Sequence, residues 1–259
     1  MDEYNAMELM IVLAARQLED GASVVVGTGG PCAAVMLAQK TTAPNLLILF
    51  EAGGVGPRLP IMPISVGDSR TFYEGVMASS MVDVMSACQR GMIDYAFLGA
   101  AQIDAYGNLN STQIGKNHSR PKVRFPGSGG ANDLASLCWR TIVMAPHDRR
   151  RFVENLDFVT TPGYLAGKGA REKAGLPPGT GPYKVITNLA VLGYDDDTCR
   201  MCVESLHPGV DLEEVKQNTG FEIPANSRVD VTSPPTREEL RIIREQVDPY
   251  GYLIGRDPS

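Results

Sequence analysis

Two short runs, Ser23 to Val26 and Leu46 to Phe50, are apolar at nearly every position, and a glycine loop and one helix-compatible stretch separate them. A strand that is apolar throughout, rather than at alternate positions, is buried on both faces, and parallel strands need a crossover of about this length. The first run stops at Gly27-Thr28-Gly29-Gly30-Pro31, and Cys32 to Lys40 supplies the small residues of a helix. The alternation continues. Leu9, Val12, Leu13 and Leu18 give residues 8–19 a helical period that ends at Gly21, and Glu74 to Gly91 reads as a helix before the strand-like Asp94 to Leu98. Thr141 to Met144 is a further strand. Such order predicts an α/β fold with a mainly parallel sheet flanked by helices.

Beyond about residue 183 the texture changes. Lys184 to Leu192 and Met201 to Ser205 read as paired strands around the Asp-rich turn Gly193 to Thr198. Thr236 and Glu239 form a capping-box pattern ahead of Leu240, Ile242, Ile243 and Val247, so a C-terminal helix is expected. With no linker composition and no internal repeat, the expectation is one domain over 1–259: an α/β core over about 1–182 and a hairpin-and-helix extension over about 183–259.

Partner classes follow from charge. Lys plus Arg is 24 and Asp plus Glu is 30, a net charge of −6, which argues against a nucleic-acid partner. The apolar run Met10 to Ala15 is too short for a membrane span or a signal segment. Cysteines 32, 88, 138, 199 and 202 are odd in number and scattered, unlike a disulfide framework. The reading is cytoplasmic, with reduced thiols and no membrane contact.

Glu51 carries the most chemical information. It directly follows a buried-type strand and precedes Ala52-Gly53-Gly54-Val55-Gly56-Pro57, at the strand end where open α/β sheets bind ligands. The glycines would let a substrate press against the main chain and expose N–H groups to an anion. The competing reading is a strand-end glutamate capping a turn. Gly127-Ser128-Gly129-Gly130-Ala131-Asn132-Asp133, leading into an expected helix Leu134 to Arg140, is a candidate nest of backbone donors. Gly27 to Gly30 lacks the spacing of a dinucleotide fingerprint and the lysine of a Walker loop, so tight-turn packing is expected there.

Lys116, His118, Arg120, Lys122 and Arg124 alternate, so an extended segment would project all five to one side, toward phosphates or an acidic substrate. A solvated edge carrying protective charge is the competing reading. Cys199 and Cys202 have no second pair for zinc, Asp195 to Asp197 reads as a solvated turn, and Met77, Met81 and Met85 read first as a core stripe. The histidines 118, 147 and 207 show no metal-ligand spacing, and no metal site is expected.

Together these motifs resemble the family I coenzyme A transferases, in particular the beta subunits of their glutaconate branch. The resemblance runs through Val24 to Gly30, Glu51, Ser65-Val66-Gly67-Asp68, the Gly99 to Thr112 segment containing Gln102 and Gly107-Asn108-Leu109-Asn110-Ser111-Thr112, the Gly127 to Asn132 loop, and Asn218-Thr219-Gly220-Phe221. Glu51, Gly53 and Gly56 match the family's Glu-x-Gly-x-x-Gly-x-x-Pro pattern, but Leu59 stands where its proline would be and Pro60 follows.

The resemblance implies that Glu51 is the nucleophile. Its carboxylate attacks an acyl-CoA thioester to give an acyl-glutamyl anhydride and CoA thiolate, which then forms a glutamyl-CoA thioester and releases the first acid. A second acid reverses both steps, so kinetics are ping-pong. It further implies oxyanion or CoA contacts at Gly53, Gly129, Gly130 and Ala131, and substrate or CoA-phosphate contacts at Gln102, Arg120 and Arg124. Coenzyme A is a substrate, with no permanent cofactor, and a homologous alpha subunit completes a hetero-oligomer such as α2β2. The alternatives on the same scaffold are an acyl-CoA hydrolase or a ring-opening or decarboxylating lyase, with Glu51 as a base, or a non-catalytic CoA-binding subunit. The carboxylic acid is not legible in the sequence.

Overall fold

The computed structural model describes residues 3–255. They gather into two compact units, one formed by residues up to 97 together with those from 233, the other by 98–232. The boundary expected near residue 182 therefore falls inside the second unit.

In the first unit, β1 (Ser23–Val26) lies parallel to β2 (Leu47–Phe50), with Val24 beside Ile48 and Val26 beside Phe50, and parallel to β5 (Tyr95–Leu98) on its other side. The short strands β3 (Gly54–Val55) and β4 (Met77–Ala78) extend the sheet antiparallel beyond β2, in the order β5-β1-β2-β3-β4. Every residue of β1 is buried, as a strand covered on both faces requires.

Helices α1 (Ala6–Ala15) and α2 (Gly30–Lys40) pack against each other. Helix α1 begins earlier than its apolar period suggests because Asn5 and Glu8 close a capping box. Its residues 8–15 are all buried. Glu8 is the one charge among them; besides the Asn5 N–H it accepts the Arg244 guanidinium at 2.6 and 3.0 Å, which offsets the loss of solvation.

Helix α3 (Met81–Gln89) corrects two expectations. Its start is fixed by a Ser80 and Asp83 capping box, so the preceding residues are free to make the edge strand β4 instead of a longer helix. Met77 is 50% and Met81 52% exposed, so the methionine repeat is not a core stripe. The C-terminal helix (Arg237–Ile242) follows the predicted Thr236 and Glu239 capping box and is tied back by a two-pronged Arg16–Glu239 pair at 3.0 and 2.8 Å.

The second unit opens with two short antiparallel hairpins, β6 (Gln102–Ile103) with β7 (Leu109–Asn110) and β8 (Gln113–Ile114) with β9 (Val123–Arg124). Then come α4 (Ala131–Leu137), β10 (Arg140–Met144), α5 (Ala170–Lys173), β11 (Gly181–Ile186), β12 (Ala190–Tyr194), β13 (Met201–Leu206), α6 (Leu212–Gln217) and β14 (Ala225–Val231). The sheet order is β14-β13-β12-β11-β10; the outer pairs are parallel and the two inner ones antiparallel. The strand expected over 184–192 is two strands, because Thr187 Oγ1 accepts the N–H groups of Leu189 and Ala190 and turns the chain. The predicted hairpin is β12 with β13, and Asp195 Oδ1 caps its turn through Thr198.

In α5, Arg171 is buried and is held by neutral acceptors. The carbonyls of Pro162, Gly163, Ala135 and Ser136 and the Thr180 hydroxyl accept from its two terminal nitrogens, which makes it a rivet through the unit.

Candidate active site

Glu51 stands at the carboxyl end of β2, half-buried, and its side chain makes no hydrogen bond or ion pair among the described residues. The backbone turns sharply behind it: Gly53 N–H donates to the Phe50 carbonyl at 2.9 Å and Gly56 N–H to Ile48 at 2.7 Å. The glycines that follow are there for packing. A Cβ on Gly53, whose φ is +112°, would lie 2.1 Å from the Ser79 carbonyl oxygen, and one on Gly54 2.1 Å from that of Thr71. The surface expected to receive a substrate at these two positions is thus filled by the protein's own main chain, and the turn presents the Glu51 side chain instead. Leu59, standing where the family pattern has proline, is buried.

Around this strand end the first unit is apolar and open. Val76 is 80% exposed and Val82 73%, beside the half-exposed Met77 and Met81, and all four flank or belong to β4, the last strand of the sheet. This edge strand carries no charge, and no further strand pairs with its outer side among the described residues.

The Gly127 to Asn132 loop belongs to the second unit. Gly127 and Gly129 have φ of +98° and +49°, and a Cβ at either would meet nothing within 4 Å. Gly130 is the N-cap of α4, so the helix begins at Ala131, earlier than the expected Leu134; residues 138–140 lead into β10 instead. Ala131 N–H is engaged by the Ser128 carbonyl at 2.8 Å, whereas the Gly129 and Gly130 N–H groups have no partner among the described residues. Two adjacent free amides at the start of a helix are donors for developing negative charge.

The remaining expected contacts are placed as follows. Gln102 is buried and structural: its oxygen accepts from Asn110 Nδ2 at 2.7 Å and Asp157 N at 3.1 Å, and its nitrogen donates to Asp157. The basic segment is not extended. Asn117 Oδ1 accepts the N–H groups of Ser119 and Arg120 and bends the chain, and only Val123 and Arg124 return to pair with β8. The five basic side chains therefore do not share one strand face. Arg124 is held by Gln113 Oε1 at 3.2 Å and by the His118 carbonyl, while Arg120 is exposed.

His147 and Thr160 are not visible as functional or structural centres in the sequence. His147 is stacked on Phe152 with centroids 4.0 Å apart and bridges Thr187 and Thr219, and burial holds its pKa down at about 4. Three cavities of about 720, 380 and 380 Å³ are lined by residues of 3–8 with 244–255, of 61–70 with 247–252, and of 212–225; neither Glu51 nor the 127–132 loop lines any of them. Among the described residues, no group of three or more His, Cys, Asp and Glu able to hold a metal occurs, and no helix is long and apolar enough to cross a membrane.

Comparison with known proteins adds an independent line. Residues 7–218 match the family model Coenzyme A transferase. The chain is 38% identical over 251 residues to the B subunit of the 3-oxoadipate CoA-transferase of Pseudomonas knackmussii, covering 94% of each protein. It is also 38% identical over 256 residues to the B subunit of the glutaconate CoA-transferase of Acidaminococcus fermentans, covering 97% of this chain and 95% of that one. The crystal structure of the Acidaminococcus glutaconate coenzyme A-transferase superposes with a TM-score of 0.93 at 36% identity, over 98% of this chain and 99% of that one. A more distant likeness, TM-score 0.82 at 26% identity over 98% and 100%, is to the decarboxylase AibA/AibB.

Proposed function

The chain belongs to the coenzyme A transferase family, and we propose that it is the beta subunit of a two-subunit CoA-transferase in which Glu51 is the nucleophile. The observation that carries this reading is the unpaired Glu51 carboxylate at a strand end, inside a chain alike over nearly its full length to the corresponding subunits of two CoA-transferases. Attack of the carboxylate oxygen on the thioester carbonyl expels CoA thiolate and leaves an acyl-glutamyl anhydride. Thiolate attack on the glutamyl carbonyl then breaks the anhydride, freeing the first acid and leaving Glu51 as its CoA thioester. The second acid repeats the exchange in reverse, so the energy of the thioester is conserved. Coenzyme A is a substrate in this cycle and no resident group is required.

Each addition places negative charge on a carbonyl oxygen, and the free amides of Gly129 and Gly130 are the donors we assign to it. Gly53 contributes by shape, holding the turn that presents Glu51. The relatives named for glutaconate and 3-oxoadipate act on dicarboxylates, and we assign this chain the same substrate class, with Arg120 and Arg124 as candidate contacts for a distal carboxylate or a CoA phosphate. A homologous alpha subunit completes the enzyme. The open apolar surface at β4 supports this, because anhydride and thioester intermediates must be shielded from water. No disulfide joins any of the five cysteines, which supports a reducing, cytoplasmic setting.

The test is a kinetic one on the chain co-expressed with its alpha partner. Parallel double-reciprocal lines with an acyl-CoA and a dicarboxylic acid, and no steady release of CoA when the acid is omitted, are the expected result. Steady CoA release without an acceptor would favour the hydrolytic or decarboxylating chemistry of the more distant relatives.

A further inference from the structure

Of the two donors in the 127–130 loop, Gly129 stands in open surroundings and Gly130 is buried at the start of α4, so where the pair points depends on how the loop as a whole is held. Fixation comes from either end. On the entering side, Ser111 and Gly127 are joined twice: Gly127 N–H donates to the Ser111 carbonyl at 3.2 Å, and Ser111 Oγ donates to the Gly127 carbonyl at 3.0 Å. On the leaving side, Asn132 Nδ2, in the first turn of α4, donates to the Thr160 carbonyl at 2.9 Å. Both ends meet at one residue. Thr160 Oγ1 accepts the Ser111 N–H at 2.9 Å and is hydrogen-bonded to Thr112 Oγ1 at 2.8 Å, and Thr160 N–H donates to Leu109 at 2.8 Å. Thr160 is buried, so these bonds are made away from competing water.

We propose that Thr160 is the positioning residue of the donor loop, its hydroxyl fixing the Gly127 end through Ser111 and its carbonyl fixing the Gly130 end through Asn132. It touches no reacting atom and acts by setting where two glycine amides point. The inference rests on the reading of those amides as oxyanion donors, and it gives the Asn110-Ser111-Thr112 segment a purpose. A hydroxyl-bearing residue is required at 160 because the same oxygen must accept from one neighbour and share a proton with another.

The experiment compares Thr160→Val, which keeps the shape and removes the hydroxyl, with Thr160→Ser, which keeps the hydroxyl, in the complex with the alpha subunit. The readout is the rate at which acyl-CoA converts Glu51 to a hydroxylamine-trappable adduct, measured beside the KM for acyl-CoA. Misplacing one oxyanion donor costs on the order of 100-fold when the donor is lost outright, so a displaced pair is expected to slow adduct formation about 10- to 100-fold in Thr160→Val. The final adduct yield and KM should be unchanged, and Thr160→Ser should restore most of the rate. A folded Thr160→Val complex with the wild-type rate overturns the inference and leaves the Glu51 reading intact. A parallel loss of KM, rate and yield that serine does not rescue also overturns it, since that is damage to the fold. A wild-type complex that forms no adduct yet releases CoA overturns the underlying reading and this inference with it. If Thr160→Val fails to assemble, Asn132→Ala loosens the same loop from the helix side and is read by the same criteria.

Discussion

Two glycine-rich turns in this chain use the same residue for opposite ends. After Glu51, Gly53 and Gly54 are pressed against the carbonyls of Ser79 and Thr71, and a side chain at either has no room. At Gly127 and Gly129 a side chain would meet nothing, and glycine serves there for its left-handed backbone, while the amides of Gly129 and Gly130 have no partner among the described residues. One turn is a packing joint that aims a carboxylate. The other is an open cradle that offers donors. Sequence alone cannot tell these apart, because both read as glycine clusters at the edge of a regular element.

The largest effect expected from this contrast is at the side chain the first turn presents. Removing the carboxylate we propose as nucleophile, in Glu51→Ala, should lower turnover by on the order of 10⁴-fold or more while the complex still assembles and binds acyl-CoA, as measured by steady-state kinetics and equilibrium binding. A variant of near wild-type turnover would leave Glu51 as a capping residue.

Next comes the difference between the turns themselves. Gly53→Ala must move the Ser79 backbone and adopt a strained φ, and should cost about 3 kcal/mol or more in denaturant unfolding. Gly129→Ala meets only the left-handed penalty of about 1 kcal/mol, so it should stay folded and show its effect in kcat instead. Equal stability losses at the two positions would erase the distinction.

Acid sensitivity should also differ between the two units. All three histidines lie in the second, and the neutral form of buried His147 is favoured down to a pKa of about 4 against 6.5 in the unfolded chain. Since the unfolded state takes up the proton first, stability is full above about pH 6.5 and falls as pH drops toward 4. His207, also lowered by burial, adds in the same sense. In the first unit, Asp68 is held below its usual 3.8 by its hydrogen bonds to Arg70, so its contribution is lost only below that value. Thermal unfolding between pH 7 and 4.5 should therefore report the second unit, and His147→Asn should flatten the slope.

The smallest effect is expected at the bent basic segment. Arg120→Ala should raise the KM for one of the two substrates about fivefold, the scale of one exposed ionic contact of about 1 kcal/mol, and unchanged KM values for both would remove Arg120 from the substrate-contact assignment.

Much of the fold was legible because it rests on local signals. Ser23–Val26 and the capping box at Thr236 were found where the sequence places them, since unbroken apolar runs and cap residues act over a few positions. Helix α3 was overrun because its true start depends on Ser80 and on an edge strand whose partner is far away in sequence. The place of Glu51 at the carboxyl end of a buried strand was legible from the apolar run before it. Thr160 was not, because its importance lies in contacts with residues 109–112 and 132 that no spacing reveals. Gln102 shows the reverse error, a motif residue whose amide is consumed by Asn110 and Asp157.

The central claim, that Glu51 becomes covalently loaded, is tested most directly by incubating the two-subunit complex with acyl-CoA and no acceptor acid, trapping with hydroxylamine, and mapping this chain by peptide mass. A hydroxamate at Glu51, absent from Glu51→Ala, is the expected result. An unmodified Glu51 peptide from a complex that still consumes acyl-CoA would contradict it.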